Sequence, residues 1–214
     1  RGRLVSALGL GVLLAQALAP LHVILTVPVA LAGVFVLFSQ AETPRRAAWI
    51  GWAFGLGFFA AGLSWIVEPF QVDPERHAWM APFALFFLAG GLALFWALAF
   101  GLASRTGGRD WRAILALTVW WSLAEFARAY VLTGLPWAAF GQFWIDTPAA
   151  QVLQWIGPQG LAVLTVFSGL SLGLALLSDR GGVARVTALI PAGIIVLFLA
   201  VLPAPPPFEE GEKI

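Results

Sequence analysis

The chain has 214 residues, of which 60% are hydrophobic and only 11% are charged, and its formal net charge is +1. A soluble domain of this size needs far more polar residues to cover its surface, so the composition indicates an integral membrane protein. There is no cysteine in the 214 residues, which excludes disulfides, thiolate metal sites and a thiol nucleophile within them. We expect no metal, no cofactor and no nucleic acid partner.

Long apolar runs predict an all-α, polytopic transmembrane helical bundle of about seven membrane segments. A span of the hydrocarbon core needs roughly 20 apolar residues. The predicted segments are residues 4–18, 21–38, 47–67, 79–103, 111–132, 160–177 and 183–202. The first two are short and predict a hairpin that turns near residues 19–22, with a kink at Pro28 in the second.

Small residues recur four positions apart in two of these segments. Gly51 and Gly55 lie in the third segment, and Gly169 and Gly173 lie in the sixth. This spacing favours close approach of neighbouring membrane helices.

The polar loop at residues 68–77 holds three acidic residues, Arg76 and His77. Such a cluster is compatible with a metal or acid–base site, but its prolines and its charged side chains, expected to be exposed, favour a solvated loop. A short surface helix is predicted later in the chain, at residues 147–158.

Two charges interrupt the fifth segment. Glu125 and Arg128 are separated by three positions and therefore leave the same face of a helix. Each central charge costs roughly 2.5–3.5 kcal/mol on membrane insertion scales, so we expect the two side chains to face protein or water and to pair. Two interpretations stay open: an ion pair that fixes helix packing, or a pair that positions a lipid headgroup or supports the loop that does.

A helix stop and an aromatic loop follow this pair. Three residues predict the stop. Thr133 has a hydroxyl, Gly134 has a backbone that can adopt a left-handed conformation, and Pro136 has no N–H to continue the helix. The loop then carries four large rings, which belong to Trp137, Phe140, Phe143 and Trp144. Rings of this kind beside a charged helix end are expected at the membrane surface, at headgroup depth.

The residues of this stretch resemble a known family. The run E-F-x-R-x-x-x-L-T-G-x-P-W-x-x-F-G at residues 125–141, followed by Ile145, Asp146 and Pro148, is similar to the membrane part of bacterial apolipoprotein N-acyltransferases. Upstream, GWAFGLGFFAAGLSWI at residues 51–66 resembles that family's third membrane segment. The resemblance covers nearly the whole chain.

The resemblance implies an enzyme that moves an acyl chain from a phospholipid to the N-terminal amine of a diacylated lipoprotein. It implies that Thr133, Gly134, Pro136, Trp137 and Phe140, with Glu125 and Arg128, position lipid substrate. The family's catalytic Glu, Lys and Cys belong to a nitrilase-like periplasmic domain, and none of them has a counterpart in this sequence. We therefore expect a transmembrane domain at residues 1–203, the start of a linker at residues 204–214, and no catalytic residue or activity in this chain alone.

Positive charge predicts the orientation. With seven alternating spans and a cytoplasmic N-terminus, nine of the twelve basic residues lie on the inside, as the positive-inside rule requires. We therefore expect a multi-pass protein of the bacterial inner membrane, with the aromatic loop and the C-terminus in the periplasm.

Two alternatives belong to other classes. A small transporter would place charges along a path, yet no second charged helix is predicted to face the pair in the fifth segment. A structural membrane subunit that docks a separate soluble partner also fits the composition.

Overall fold

A computed structural model describes residues 2–108, 110–131, 134–145 and 147–177, and these ranges contain helices and turns but no strand. The α-helices of the described ranges are α1 (Gly2–Ala15), α2 (Thr26–Ser39), α3 (Pro44–Gly62), α4 (Pro74–His77), α5 (Ala81–Thr106), α6 (Trp111–Tyr130) and α7 (Leu153–Leu177). Short 3-10 segments lie between them at Ser64–Gln71, Ala78–Met80, Phe140–Trp144 and Pro148–Val152. The predicted all-α membrane fold is confirmed.

The helices differ in how well their lengths suit a membrane. The apolar helical stretches Pro74–Thr106 and Pro148–Leu177 are long enough to cross it, with 33 and 30 residues. α3 and the Ser64–Gln71 segment form a third candidate, bent by 46°. The predicted count of about seven spans stays a prediction, since the seventh, at residues 183–202, lies outside the described residues together with the linker.

One predicted helix end and one predicted kink are wrong. The third segment was expected to run to residue 67, but α3 ends at Gly62 and a 3-10 segment follows. Gly62, the last residue of α3, has a weak helix propensity and favours an end at this point, and Pro69 lies further on, inside the 3-10 segment. Pro28 produces no kink, because α2 begins at Thr26 and the proline falls in the first turn, where N–H groups lack helical partners anyway.

Glycine permits close packing at two helix pairs, as predicted. A Cβ on Gly51 would lie 2.7 Å from the carbonyl oxygen of Trp96, so α3 and α5 touch through backbone at this point. A Cβ on Gly173 would lie 2.7 Å from the carbonyl oxygen of Ala32, which places α7 equally close to α2. Both four-residue glycine pairs are therefore packing surfaces, as is usual for small residues in membrane helices.

The chain between α6 and the body of α7 is irregular. The predicted surface helix at residues 147–158 is a 3-10 turn at Pro148–Val152, and α7 already begins at Leu153. The path of α7 breaks at Gly157, whose φ is 66°, directly before Pro158. This break separates the short helical turn at the start of α7 from its long apolar part.

Candidate functional site

Glu125 and Arg128 form a buried, bidentate ion pair on α6. The Arg128 Nη2 atom donates to Glu125 Oε2 at 2.7 Å, and Arg128 Nε donates to Glu125 Oε1 at 3.1 Å. Only 6% of Glu125 and 2% of Arg128 is exposed. The predicted pairing is therefore confirmed, and its setting is the protein interior rather than lipid or water.

Two other helices complete the surroundings of the pair. Trp96 of α5 donates its indole N–H to Glu125 Oε1 at 2.7 Å. The guanidinium carbon of Arg128 lies 5.2 Å from the centroid of the Phe59 ring of α3, a cation–π distance. The ion pair thus joins α3, α5 and α6.

Arg128 also holds the loop that follows its own helix. Its Nη1 atom donates to the carbonyl oxygens of Leu135 and Trp137, the latter at 2.9 Å, while the Leu135 N–H returns to the carbonyl of Arg128 at 3.2 Å. Four of the five guanidinium N–H donors are occupied in this way. A guanidinium so engaged has little capacity left for a lipid phosphate.

Gly134 makes the return of the chain possible. Its φ is 75°, a left-handed conformation that suits glycine, and a Cβ here would overlap the carbonyl oxygen of Ala129. Its N–H donates to the Val131 carbonyl at 3.0 Å, and Pro136 follows as an exposed residue. α6 ends at Tyr130, two residues before the predicted end of the fifth segment at residue 132, and Gly134 supplies the left-handed turn that follows. Thr133 lies outside the described residues.

The aromatic loop has an inner and an outer side, and the headgroup depth of its four rings stays a prediction. Phe140 and Phe143 are 0% and 1% exposed. The Phe140 ring lies 5.6 Å from Trp96 and 5.5 Å from Trp121, in edge-to-face contacts. These two phenylalanines anchor the loop in the core because the 3-10 turn at Phe140–Trp144 directs them inward.

Trp137 is the ring that the loop presents outward. It is 54% exposed, and it makes an edge contact with Trp65, which is 49% exposed, at a centroid distance of 5.9 Å. A groove of about 450 Å³ lies beside the two indoles, and its other walls include Leu18, His22, Leu63 and Ile145. The site therefore consists of a rigid buried clamp below and an apolar, tryptophan-rimmed groove above.

Sequence reasoning missed Trp65, Trp96 and Phe59 as parts of this site. Trp96 had a usable signal, since an indole N–H within an apolar helix requires an acceptor and Glu125 is the carboxylate buried in the described part of the bundle. The loop at residues 68–77 is solvent-exposed, and no group of three metal-ligating side chains occurs in the described ranges. The solvated interpretation of that loop is the one consistent with its exposure.

Long apolar helices, glycine-mediated helix contacts and a fully enclosed ion pair together define an integral membrane domain built from helices. Residues 10–171 match the family "Apolipoprotein N-acyltransferase N-terminal domain". The chain belongs to the apolipoprotein N-acyltransferase family, whose members are acyltransferases, and it corresponds to the N-terminal domain.

Relatives named apolipoprotein N-acyltransferase support this assignment. The chain is 40% identical over 174 residues to that of Rhodopseudomonas palustris, which covers 77% of this chain and 32% of the relative. It is 37% identical over 169 residues to that of Rhizobium etli, with coverages of 75% and 32%. It is 37% identical over 140 residues to that of Caulobacter vibrioides, with coverages of 63% and 26%. The chain thus spans about a third or less of each of these relatives.

Proposed function

We propose that this chain is the membrane domain of a bacterial apolipoprotein N-acyltransferase, which transfers an acyl chain from a phospholipid to the N-terminal amine of a diacylated lipoprotein. In this role residues 1–203 form the membrane domain and residues 204–214 begin the linker to a periplasmic catalytic domain. The domain positions the phospholipid donor and holds the catalytic domain over it.

The observation that carries this proposal is the clamp of Arg128 on the carbonyls of Leu135 and Trp137. A clamp of two charge-assisted hydrogen bonds fixes the loop at its base. The loop can then present Trp137 at a defined position beside the groove, rather than as a freely moving interfacial anchor. The sequence left two roles open for the ion pair: fixing the helix packing, or positioning a lipid headgroup directly or through the loop. We therefore assign the pair to support of the loop.

The groove beside Trp137 fits lipid chemistry. Its walls are mainly apolar, and it carries two half-exposed indoles. Indole rings suit the headgroup level of a membrane, and aliphatic walls suit the acyl chains below it. Gly134, Pro136 and Phe140 act on this groove indirectly, by shaping and anchoring the loop. Thr133 is proposed with them from its place in the motif.

The test is the replacement of Trp137 by alanine in a complete enzyme that carries this chain as its membrane domain. We expect acyl transfer to fall by about tenfold, because an indole in an interfacial contact contributes on the order of 1–2 kcal/mol. Insertion and expression should stay unchanged, since Trp137 is half exposed. The measurement is the initial rate of acyl gain by a diacylated lipopeptide.

Trp79→Ala is the matched control for this experiment. Trp79 is 67% exposed and lies just before α5, and it does not line the Trp137 groove. We expect its rate to equal that of the unchanged enzyme. An equal loss of rate in both variants, or a matching loss of folded protein in Trp137→Ala, would reduce Trp137 to a membrane anchor.

The proposal also fixes an orientation in the inner membrane, with the N-terminus in the cytoplasm and the Trp137 loop in the periplasm. The absence of cysteine allows single cysteines to be introduced without background labelling. We expect a membrane-impermeant maleimide to label cysteines placed at Gln71 and Gln142 from the periplasm, and to reach Thr43 and Thr106 only after the membrane is opened. Labelling of Thr43 in intact cells would contradict the orientation.

A further inference from the structure

A second pocket lies at the end of the bundle opposite the Trp137 groove. It has a volume of about 770 Å³ and opens between the first turn of α1 and the first turns of α3. α3 contributes Arg46 to this pocket and Gly62 to the groove. Sixteen residues of α-helix rise about 24 Å, which is close to the thickness of the hydrocarbon core. The pocket and the groove therefore belong to opposite membrane surfaces.

The lining of this pocket combines positive charge with an indole and apolar walls. Arg3 and Arg46 supply guanidinium groups, and Trp49 supplies a ring that is 48% exposed. Leu4, which is 38% exposed, supplies aliphatic surface above the buried Ile50. Trp49 makes an edge contact with Trp52 at 5.6 Å. Trp52 is itself fixed by its hydrogen bond to the Gly90 carbonyl at 3.1 Å, so the aromatic wall has a defined position.

The two arginines keep donors available for a further ligand. Arg3 Nη1 donates to the Gln40 carbonyl at 3.2 Å in an exposed setting. Arg46 pairs with Glu42, and 59% of the Arg46 side chain and 66% of the Glu42 side chain are exposed. This differs from Arg128, whose donors are almost all occupied inside the protein. With Arg3, Arg46 and Glu42 counted together, the pocket remains positive.

We propose that this pocket binds the headgroup of an anionic phospholipid, with an acyl chain lying against the exposed Leu4. A guanidinium recognises a phosphate by paired charge-assisted hydrogen bonds, and basic pockets between membrane helices are suited to anionic headgroups. The indole of Trp49 suits the headgroup level of the same leaflet. The bound lipid bridges α1 and α3 at the surface away from the Trp137 groove, so the site is separate from the one proposed for acyl transfer.

The test measures lipid binding to the purified chain in a neutral detergent by native mass spectrometry. Three probes are titrated: a short-chain phosphatidylglycerol, a phosphatidylcholine with the same chains, and inorganic phosphate. We expect phosphatidylglycerol to bind, and the variant R3Q/R46Q to bind it about 25-fold more weakly, because each arginine near an anionic headgroup contributes about fivefold. The unchanged chain should bind phosphatidylcholine weakly. Its affinity for phosphatidylcholine should not exceed the affinity of R3Q/R46Q for phosphatidylglycerol.

Arg105→Gln is the matched control, since Arg105 is exposed in the last turn of α5 and does not line the pocket. It removes one positive charge from the chain, and its affinity for phosphatidylglycerol should equal that of the unchanged protein. An equal loss in R105Q, equal binding of both lipids, or full competition by inorganic phosphate would each overturn the proposal. The comparison of lipids on the unchanged chain decides the matter even if R3Q/R46Q fails to fold.

Discussion

Replacing Arg128 with methionine is expected to lower the free energy of unfolding by about 3–5 kcal/mol, the cost of stranding one charge of a buried pair. The loss comes from Glu125, which keeps a buried carboxylate with the Trp96 N–H as its remaining partner, and from the two loop carbonyls that lose their donor. Glu125→Leu should cost a similar amount, because it leaves the Arg128 guanidinium buried. The measurement is equilibrium unfolding in mixed micelles.

The double variant E125L/R128M should lose less than the sum of the two single losses, with a coupling energy of about 1–3 kcal/mol. Arg46 and Glu42 form a natural control, since their pair is exposed and should show a coupling of only about 0.2–1 kcal/mol. Additive losses at Glu125 and Arg128 would mean that the two residues act through separate partners. Arg128→Lys should also destabilise the protein, because an ammonium cannot reproduce the planar fork that reaches both Glu125 and the loop.

Periodicity and composition were sufficient to predict those parts of the fold that depend on long apolar runs. The segment predicted at residues 79–103 is α5, and the one at residues 160–177 is the main part of α7. The contacts of Gly51 and Gly173 were predictable as well, since small residues four positions apart leave room for a neighbouring backbone. The helical runs and the glycine spacing can be read from the local sequence, whereas the partner helices of Gly51 and Gly173 cannot.

The sequence predicted the Glu125–Arg128 ion pair but not the geometry around it, because that geometry depends on contacts between distant residues. Trp137 and Phe140 are both large rings in one short loop, and nothing local shows that one is half exposed and the other fully buried. The difference arises from the Arg128 clamp and from the packing of Phe140 against Trp96 and Trp121. Trp96 lies 29 positions before Glu125, a separation at which one sequence gives no pairing information.

The end of α3 shows the same limit at the level of secondary structure. The apolar run continues through Ile66 and Val67, so hydropathy alone extends the helix. The chain instead bends after Gly62 into the 3-10 segment, which brings Trp65 beside Trp137. The groove therefore depends on a bend that the hydropathy pattern conceals.

Acyl transfer is expected to be absent from residues 1–214 alone and to appear when the remaining C-terminal part of a relative, of which the match covers 32%, is joined after Ile214. In the reaction that the family resemblance implies, a thiolate attacks the phospholipid ester, forms a thioester and releases the lysophospholipid. The lipoprotein amine then attacks the thioester, forms an amide and releases the thiol. These residues contain no cysteine. The hydroxyl of Thr165 is engaged by Trp144 and by the Leu161 carbonyl rather than by a base.

The assay for this last prediction is the gain of one acyl chain by a diacylated lipopeptide, followed by mass spectrometry. Residues 1–214 should insert into the membrane and leave the lipopeptide unchanged, whereas the joined protein should convert it. A joined protein whose added catalytic cysteine is replaced by serine should insert equally well and remain inactive, which separates loss of the nucleophile from loss of folding. Turnover by purified residues 1–214 would show that a group in the membrane domain performs the chemistry, and it would overturn the division of labour proposed here.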